Sequence, residues 1–191
     1  QPHVITPDDV MAGRTIEGPV VINDDEGYYL GGVIAEKLAR QGLDVTLLTP
    51  DPEPSPLLRY TSEREAVHQT LLKLGVKLVT ARRLVEIGAD EVEAQCIYTG
   101  KAIRVPAATV VMVCLRSPSD GLLHDLRKAA GEEPPMFTVH AIGDCYAPGT
   151  IADAVHSGHR VGREMDQAPI GDINYLIEKP FVRERGGWDP L

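Results

Sequence analysis

Residues 19–50, PVVINDDEGYYLGGVIAEKLARQGLDVTLLTP, read as strand, glycine-containing turn, helix and strand. Val20, Val21 and Ile22 are a β-branched run of the kind a buried parallel strand carries. The polar stretch Asn23-Asp24-Asp25-Glu26-Gly27 is expected to be the turn after it. A helix then places Leu30, Val33, Ile34 and Leu38 on one face, and Gly42 stops it. Val45, Leu47 and Leu48 supply the second strand, so the stretch is a βαβ unit with a right-handed crossover.

Such a unit usually opens a dinucleotide-binding domain, whose turn needs glycines so that a pyrophosphate can approach the backbone and the helix can lie close on the strand. Here the glycine pattern is imperfect. With the third glycine of G-x-G-x-x-G set at Gly31, the first two positions fall on Glu26 and Tyr28, while Gly27 and Gly32 are displaced by one. The run from Asn23 to Glu26 puts acidic and amide groups where a diphosphate requires donors. The acid that closes the second strand in such sites is missing, because Leu48 leads into Thr49 and Pro50. The fold signal is therefore strong and the cofactor signal weak.

A chain of 191 residues with net charge −9 holds one domain or one and a half, and its charge argues against a nucleic-acid partner. No apolar run approaches a membrane span and no signal-peptide pattern opens the chain. The first residue is Gln1 rather than Met, which suggests a fragment or a processed end. Cys96, Cys114 and Cys145 are isolated from one another, so neither a zinc ribbon nor an iron–sulfur loop is encoded, and a reducing cytoplasm is the expected location.

Around this unit the pattern continues. Thr6 is a good N-cap for a short helix with Pro7 at its first position and Asp9 in its first turn. Residues 51–60 carry three prolines and form a loop, after which Ser62-Glu63-Arg64-Glu65 reads as a capping box for a helix burying Val67, Leu71 and Leu74. Residues 76–80 make a third parallel strand. Residues 84–87, 92–98 and 102–105 are short strands of an antiparallel meander, and residues 109–115, TVVMVCL, return to a buried strand. A helix capped at residues 117–120 runs to Ala130. Residues 137–142 read as a further strand, and Thr150 caps a long helix whose inward face is Ile151, Ala154, Val155, Gly158, Val161, Gly162 and Met165. The expected fold is α/β: a Rossmann-like, three-layer domain with a parallel sheet and an antiparallel β-meander.

That order resembles the two-dinucleotide-fold flavoproteins of the glutathione reductase type, and within them the C-terminal part of the trimethylamine dehydrogenase / 2,4-dienoyl-CoA reductase family. The resemblance rests on TPDDVMAG (6–13), RSPSDGLLHDL (116–126) and HAIGDCYAPGTIADAVHSGHRVGREMD (140–166). It implies an FAD/NAD(P)-binding-like fold and a larger oxidoreductase parent. An N-terminal TIM barrel there holds FMN and the substrate, and a 4Fe–4S centre follows it. On this reading residues 1–135 are an NAD(P)-binding-like Rossmann domain with its leading segment. Residues 136–166 are the closing strand and helix of an FAD-like module, and residues 167–191 form an extended tail. The barrel would be the principal partner, with a homodimer left open, and the isolated chain would be inactive.

Two places could hold a nucleotide such as ADP, FAD or NAD(P)H. Gly27, Gly31 and Gly32 form either a phosphate loop or a tight turn in a domain that has lost its ligand. At the other end, the resemblance implies that Asp144, after Gly143, accepts a hydrogen bond from a ribityl or ribose hydroxyl. The helix opened by Thr150 and Ile151 points its amides at the same place; the competing reading of Asp144 is a turn-capping acid. Arg59, Arg82 and Arg83 are read as solvated surface rather than a 2′-phosphate clamp, and His156 and His159 as surface or packing rather than a metal pair.

Overall fold

The computed structural model describes residues 1–131 and 137–165. The chain divides into two compact units, Gln1–Arg116 and Ser117–Leu191. The boundary expected from sequence, at 135/136, groups the helix ending at Ala130 with the first domain; the first compact unit instead ends at Arg116.

The first unit begins with β1 (Val4–Ile5) and α1 (Pro7–Met11), whose Thr6 N-cap forms a reciprocal capping box with Asp9. Then come β2 (Val20–Asp24), α2 (Leu30–Arg40), β3 (Val45–Leu48), a 3-10 turn (Pro56–Tyr60) and α3 (Arg64–Lys73). The strands β4 (Lys77–Val79), β5 (Arg82–Ile87), β6 (Glu91–Cys96), β7 (Ala102–Pro106) and β8 (Thr109–Val113) complete the unit. Five strands form one sheet in the order β1-β8-β2-β3-β4, and each pairing is parallel. The meander β5-β6-β7 forms a separate antiparallel sheet.

Period-two alternation sorts the parallel sheet's side chains between two cores. Val20, Ile22, Val45, Leu47, Val111 and Val113 pack with Ile34, Ala35, Leu38 and Leu71 of α2 and α3. Val21, Leu48 and Val110 face the other way, onto Val92, Ala94 and Val105 of the meander. The unit is thus three layers, helices over parallel sheet over antiparallel sheet, as the sequence patterns require.

Two local readings are corrected. Asn23 and Asp24 are strand rather than turn, 1% and 0% exposed, because β2 pairs with β3 as far as Asn23 and with β8 as far as Asp24. Ser62 does not cap α3: it sits at φ 61°, the N-cap is Glu63, and no side chain caps that end.

The second unit holds α4 (Gly121–Ala130), a 3-10 turn at Gly143–Cys145 and α5 (Ile151–Glu164), the last opened by a capping box between Thr150 and Asp153. Residues 137–142, expected to be a strand, form none, and no strand among the described residues of this unit is available to satisfy their backbone groups. The apolar face expected to point inward on α5 is only partly covered: Ala154 and Gly158 lie against Gly143 and Ile142, while Ile151 is 84% and Val155 65% exposed. The tail at residues 167–191 lies outside the described residues. No helix among the described residues is long and apolar enough to cross a membrane.

The layered core makes one stability contrast checkable by urea unfolding. Leu47→Ala, at a fully buried position of β3, should cost about 2–5 kcal/mol. Leu72→Ala, on the exposed side of α3, should stay within about 0.5 kcal/mol.

Candidate functional site

The first candidate lies at the carboxyl ends of β2, β3 and β8, where strand order reverses and where open α/β sheets bind their ligands. The turn from β2 into α2 folds back through Gly27 at φ 68°. Its N–H donates to Asp24 Oδ1 at 3.1 Å, and its carbonyl accepts the Leu57 N–H at 3.0 Å. A side chain at Gly27 would lie 3.0 Å from Asp51 Oδ2 and 3.6 Å from the Pro56 ring, so residues 51–57 close tightly over the turn.

Gly31, in the first turn of α2, is what lets Asp24 sit where it does. A Cβ there would fall on the Asp24 carboxyl group, which lies directly against the helix backbone. Gly32 serves a different contact: its Cβ would lie 3.0 Å from Val67 of α3 and 3.3 Å from the Ser55 hydroxyl. The three glycines therefore share one turn and its helix, but they accommodate the protein's own groups: a carboxyl, a proline loop and a neighbouring helix.

Electrostatics sharpen this. Asp24 Oδ2 is buried with no hydrogen-bond partner, as are Asn23 Oδ1, Glu26 Oε2 and Ser55 Oγ. Burial, reinforced by Glu26 and Asp51, pushes the Asp24 carboxyl up to about 6, against the opposing pull of the Gly27 N–H. Asp51 is likewise raised, by burial first and then by Asp25 and Glu53. Asn23 Nδ2 donates to Asp25 Oδ2 at 2.9 Å. The Cys114 thiol is pushed up by burial and then by Asp25. The crevice is an acidic one, and a diphosphate would enter it against like charge.

Asp24 and Asp51 are the residues that sequence reasoning missed. Asp24 was hidden in an apparently solvated acidic turn; the signal available was that three residues, Val20 to Ile22, are short for a parallel strand. Asp51 follows the end of β3 by three positions and brings an acid beside Gly27 after all, although Thr49 and Pro50 stand between.

The second candidate lies wholly in the second unit. Gly143, at φ 59°, donates its N–H to Ser157 Oγ at 2.9 Å, and a side chain there would meet Ala154 at 3.7 Å, which fixes the 3-10 turn on α5. Asp144 is exposed; its Oδ1 lies 3.5 Å from the Gly149 N–H, a long contact that leaves most of its accepting capacity free. Thr150 Oγ1 and N–H both donate to Asp153 Oδ2, at 2.7 and 2.8 Å, so the α5 N-terminus already holds one carboxylate. Ile151 is solvent-facing. The structure thus gathers Gly143, Asp144, Thr150 and Ile151 at one end of α5, and Gly27, Gly31 and Gly32 at one end of α2.

The remaining candidates have ordinary roles. Arg59 bonds the Tyr60 hydroxyl at 2.8 Å and lies 4.8 Å over its ring; Arg82 bonds the Lys101 carbonyl and Arg83 the Gln95 side chain. His156 and His159 sit on α5, and no group of three ligating side chains among the described residues could hold a metal ion. The three cysteines are free thiols. The Cys96 thiol is held down to about 7 by the Thr99 hydroxyl and then by the amides of the following turn.

Two measurements test this description. Gly31→Ala should destabilise the first unit by about 1–3 kcal/mol, because the new methyl displaces the buried Asp24 carboxyl. Stability should also depend on pH through Asp24, with a definite sign. The native carboxyl holds its proton to about 6 while the unfolded one releases it near 3.8. The contribution is therefore full below the lower value and lost as pH rises through the higher one, a fall of about 3 kcal/mol. Chemical denaturation of Asp24→Asn across that range should show the fall abolished.

No family model matches the chain. It is 32% identical over 209 aligned residues to dimethylamine dehydrogenase of Hyphomicrobium sp. (strain x), a match spanning 98% of this chain and 27% of that protein. Among solved structures it resembles histamine dehydrogenase from Rhizobium sp. 4-9, with 40% identity and a TM-score of 0.78 over 98% of this chain and 29% of that one. It also resembles the 6-hydroxypseudooxynicotine amine oxidase HisD from Pseudomonas geniculata N1, with 34% identity and a TM-score of 0.75 over 84% of this chain and 24% of that one. The chain thus spans 24–29% of the length of these relatives. Its sequence and fold correspond to a C-terminal part of the trimethylamine dehydrogenase family.

Proposed function

We propose that the chain is the nucleotide-binding-like C-terminal part of a flavin-dependent oxidoreductase of the trimethylamine dehydrogenase type, and that its first dinucleotide turn is closed. In the complete protein, an N-terminal barrel would carry FMN, a 4Fe–4S centre and the substrate site. This part would complete the scaffold and offer an adenine nucleotide a place at the α5 end. The observation that carries the reading is the Asp24 carboxyl, lodged against Gly31 and bonded to Gly27 N–H. It takes up the first turn of α2, where a bound phosphate would find its donors.

At the α5 end the residues fit a sugar hydroxyl. Asp144 presents an exposed carboxylate with free accepting capacity beside the Gly143 backbone. A hydroxyl donating to Asp144 is compatible with this arrangement, whereas Asp153 disfavours a phosphate at the same amides.

A second reading, a working NAD(P)H site feeding a flavin, is favoured by one observation: Asp51 lies beside Gly27, where an acid could accept from a ribose. Thermal-shift titration of the complete protein with ADP, FAD, NADH and NADPH separates the two. We expect a rise in Tm with ADP, reaching the equivalent of about 2.7 kcal/mol at a hundredfold excess over Kd, and none with NADH or NADPH. A rise with NADH or NADPH that Asp51→Ala removes would establish the second reading. No shift with any nucleotide would leave the part as structural.

A further inference from the structure

The closed turn at Gly27 is held by few bonds and carries unusual electrostatic tension. On the loop side it is tied by the Leu57 N–H to the Gly27 carbonyl, 3.0 Å, with Pro56 packed beside Gly27. The loop is anchored independently to α3, through His68 Nε2 at 2.6 Å from the Pro54 carbonyl and Arg64 at 2.9 Å from Glu53. On the sheet side, the turn is seated by the Gly27 N–H on Asp24 Oδ1 and by the Asp25 N–H on the Val113 carbonyl at 2.9 Å. Ser55, at φ 49° and fully buried, has a hydroxyl without a partner.

Around Asp24 the charges are one-sided. The charged side chains that act on it are Glu26 in the turn and Asp51 in the loop, both acids. Asp25 and Glu53 act in turn on Asp51. From α2 the contact is Gly31, which brings no charge. Asp24 Oδ2 makes no hydrogen bond, and the pull of the Gly27 and Glu26 N–H groups is outweighed by burial, so an ionised carboxylate there would be buried, under-bonded and crowded by neighbouring anions. A protonated carboxyl removes the repulsion and keeps the Gly27 bond. Water, once admitted, would satisfy Asp24 Oδ2, Asn23 Oδ1 and Glu26 Oε2 together, so the open form has an evident compensation.

We propose that the β2–α2 turn is a proton-operated latch: with Asp24 protonated it stays seated beneath residues 51–57, and ionisation of Asp24 releases it and uncovers the first turn of α2. The latch goes beyond the functional reading above and does not depend on which nucleotide, if any, binds. It makes access to the α2 N-terminus a function of pH within the near-neutral range, because the proton on Asp24 is lost at about 6.

Amide hydrogen exchange on the full chain between pH 5 and 8, corrected for intrinsic rates, tests it. The Gly27 and Leu57 amides should open more as pH rises from 5, by on the order of 10-fold, and level off above the Asp24 titration at about 6. The Ile22 and Leu47 amides in the sheet should stay far better protected than these at every pH, rising only as far as global stability falls. In Asp24→Asn the rise should vanish, whereas in His68→Gln, which removes the α3 imidazole that bonds the loop at the Pro54 carbonyl, it should persist. Corrected exchange at Gly27 and Leu57 that is flat with pH, or a rise that survives Asp24→Asn, overturns the latch. If Asp24→Asn does not fold, carboxyl-carbon NMR of the unsubstituted chain decides: a titration of Asp24 near the ordinary aspartate value of 3.8 overturns it.

Discussion

Strand β2 has no free edge. Its five residues pair in parallel with β3 on one side and β8 on the other, and all five are buried. A strand in that position must satisfy its backbone entirely within the sheet and hand its side chains alternately to two cores. Val20 and Ile22 go to the helices, Val21 goes to the meander, and the layers on either side are arranged around that division. The same constraint drives the strand two residues past its apolar run, so that a carboxyl is carried into the interior with it.

This explains what could be read in advance. The period of Leu30, Ile34 and Leu38, though not of Val33, which is 45% exposed, and the apolar runs at residues 20–22 and 109–113 are driven by burial, and burial is written in residue type. The meander was equally legible from its short strands and turns. Asn23 and Asp24 were not, because their burial comes from hydrogen bonding to neighbours distant in sequence, and polar side chains conceal it. Ser62 failed as a cap because the loop before α3 places it at positive φ, which composition does not encode. The strand expected at residues 137–142 and the inward face expected on α5 share another cause. Both are apolar patterns that imply a partner: among the described residues of the second unit no strand pairs with residues 137–142, and α5 meets only the turn at Ile142 and Gly143, leaving Ile151 and Val155 exposed.

The glycines of the turn serve contacts within the protein itself. Gly27, Gly31 and Gly32 are each required by the structure: one for a positive φ, one for contact with a carboxyl and one for contact with another helix. Their spacing alone could not distinguish contact with a phosphate from contact with Asp24 or Val67, since close backbone approach demands glycine either way. Likewise Asp51 reaches Gly27 although Thr49 and Pro50 separate it from the end of β3. Which groups fill the space above a turn is decided by the loop opposite it, here residues 51–57.

The position of β8 has a consequence for how the domain acquires its structure. Ile22 pairs with Val111, across nearly the whole length of the first unit. During synthesis β2 can meet α2 and β3 early, through local contacts, but its other edge stays open until the meander has been made and β8 has emerged. Inserting β8 between β1 and β2 therefore closes the largest loop in the unit and unites the strands of both edges in one event.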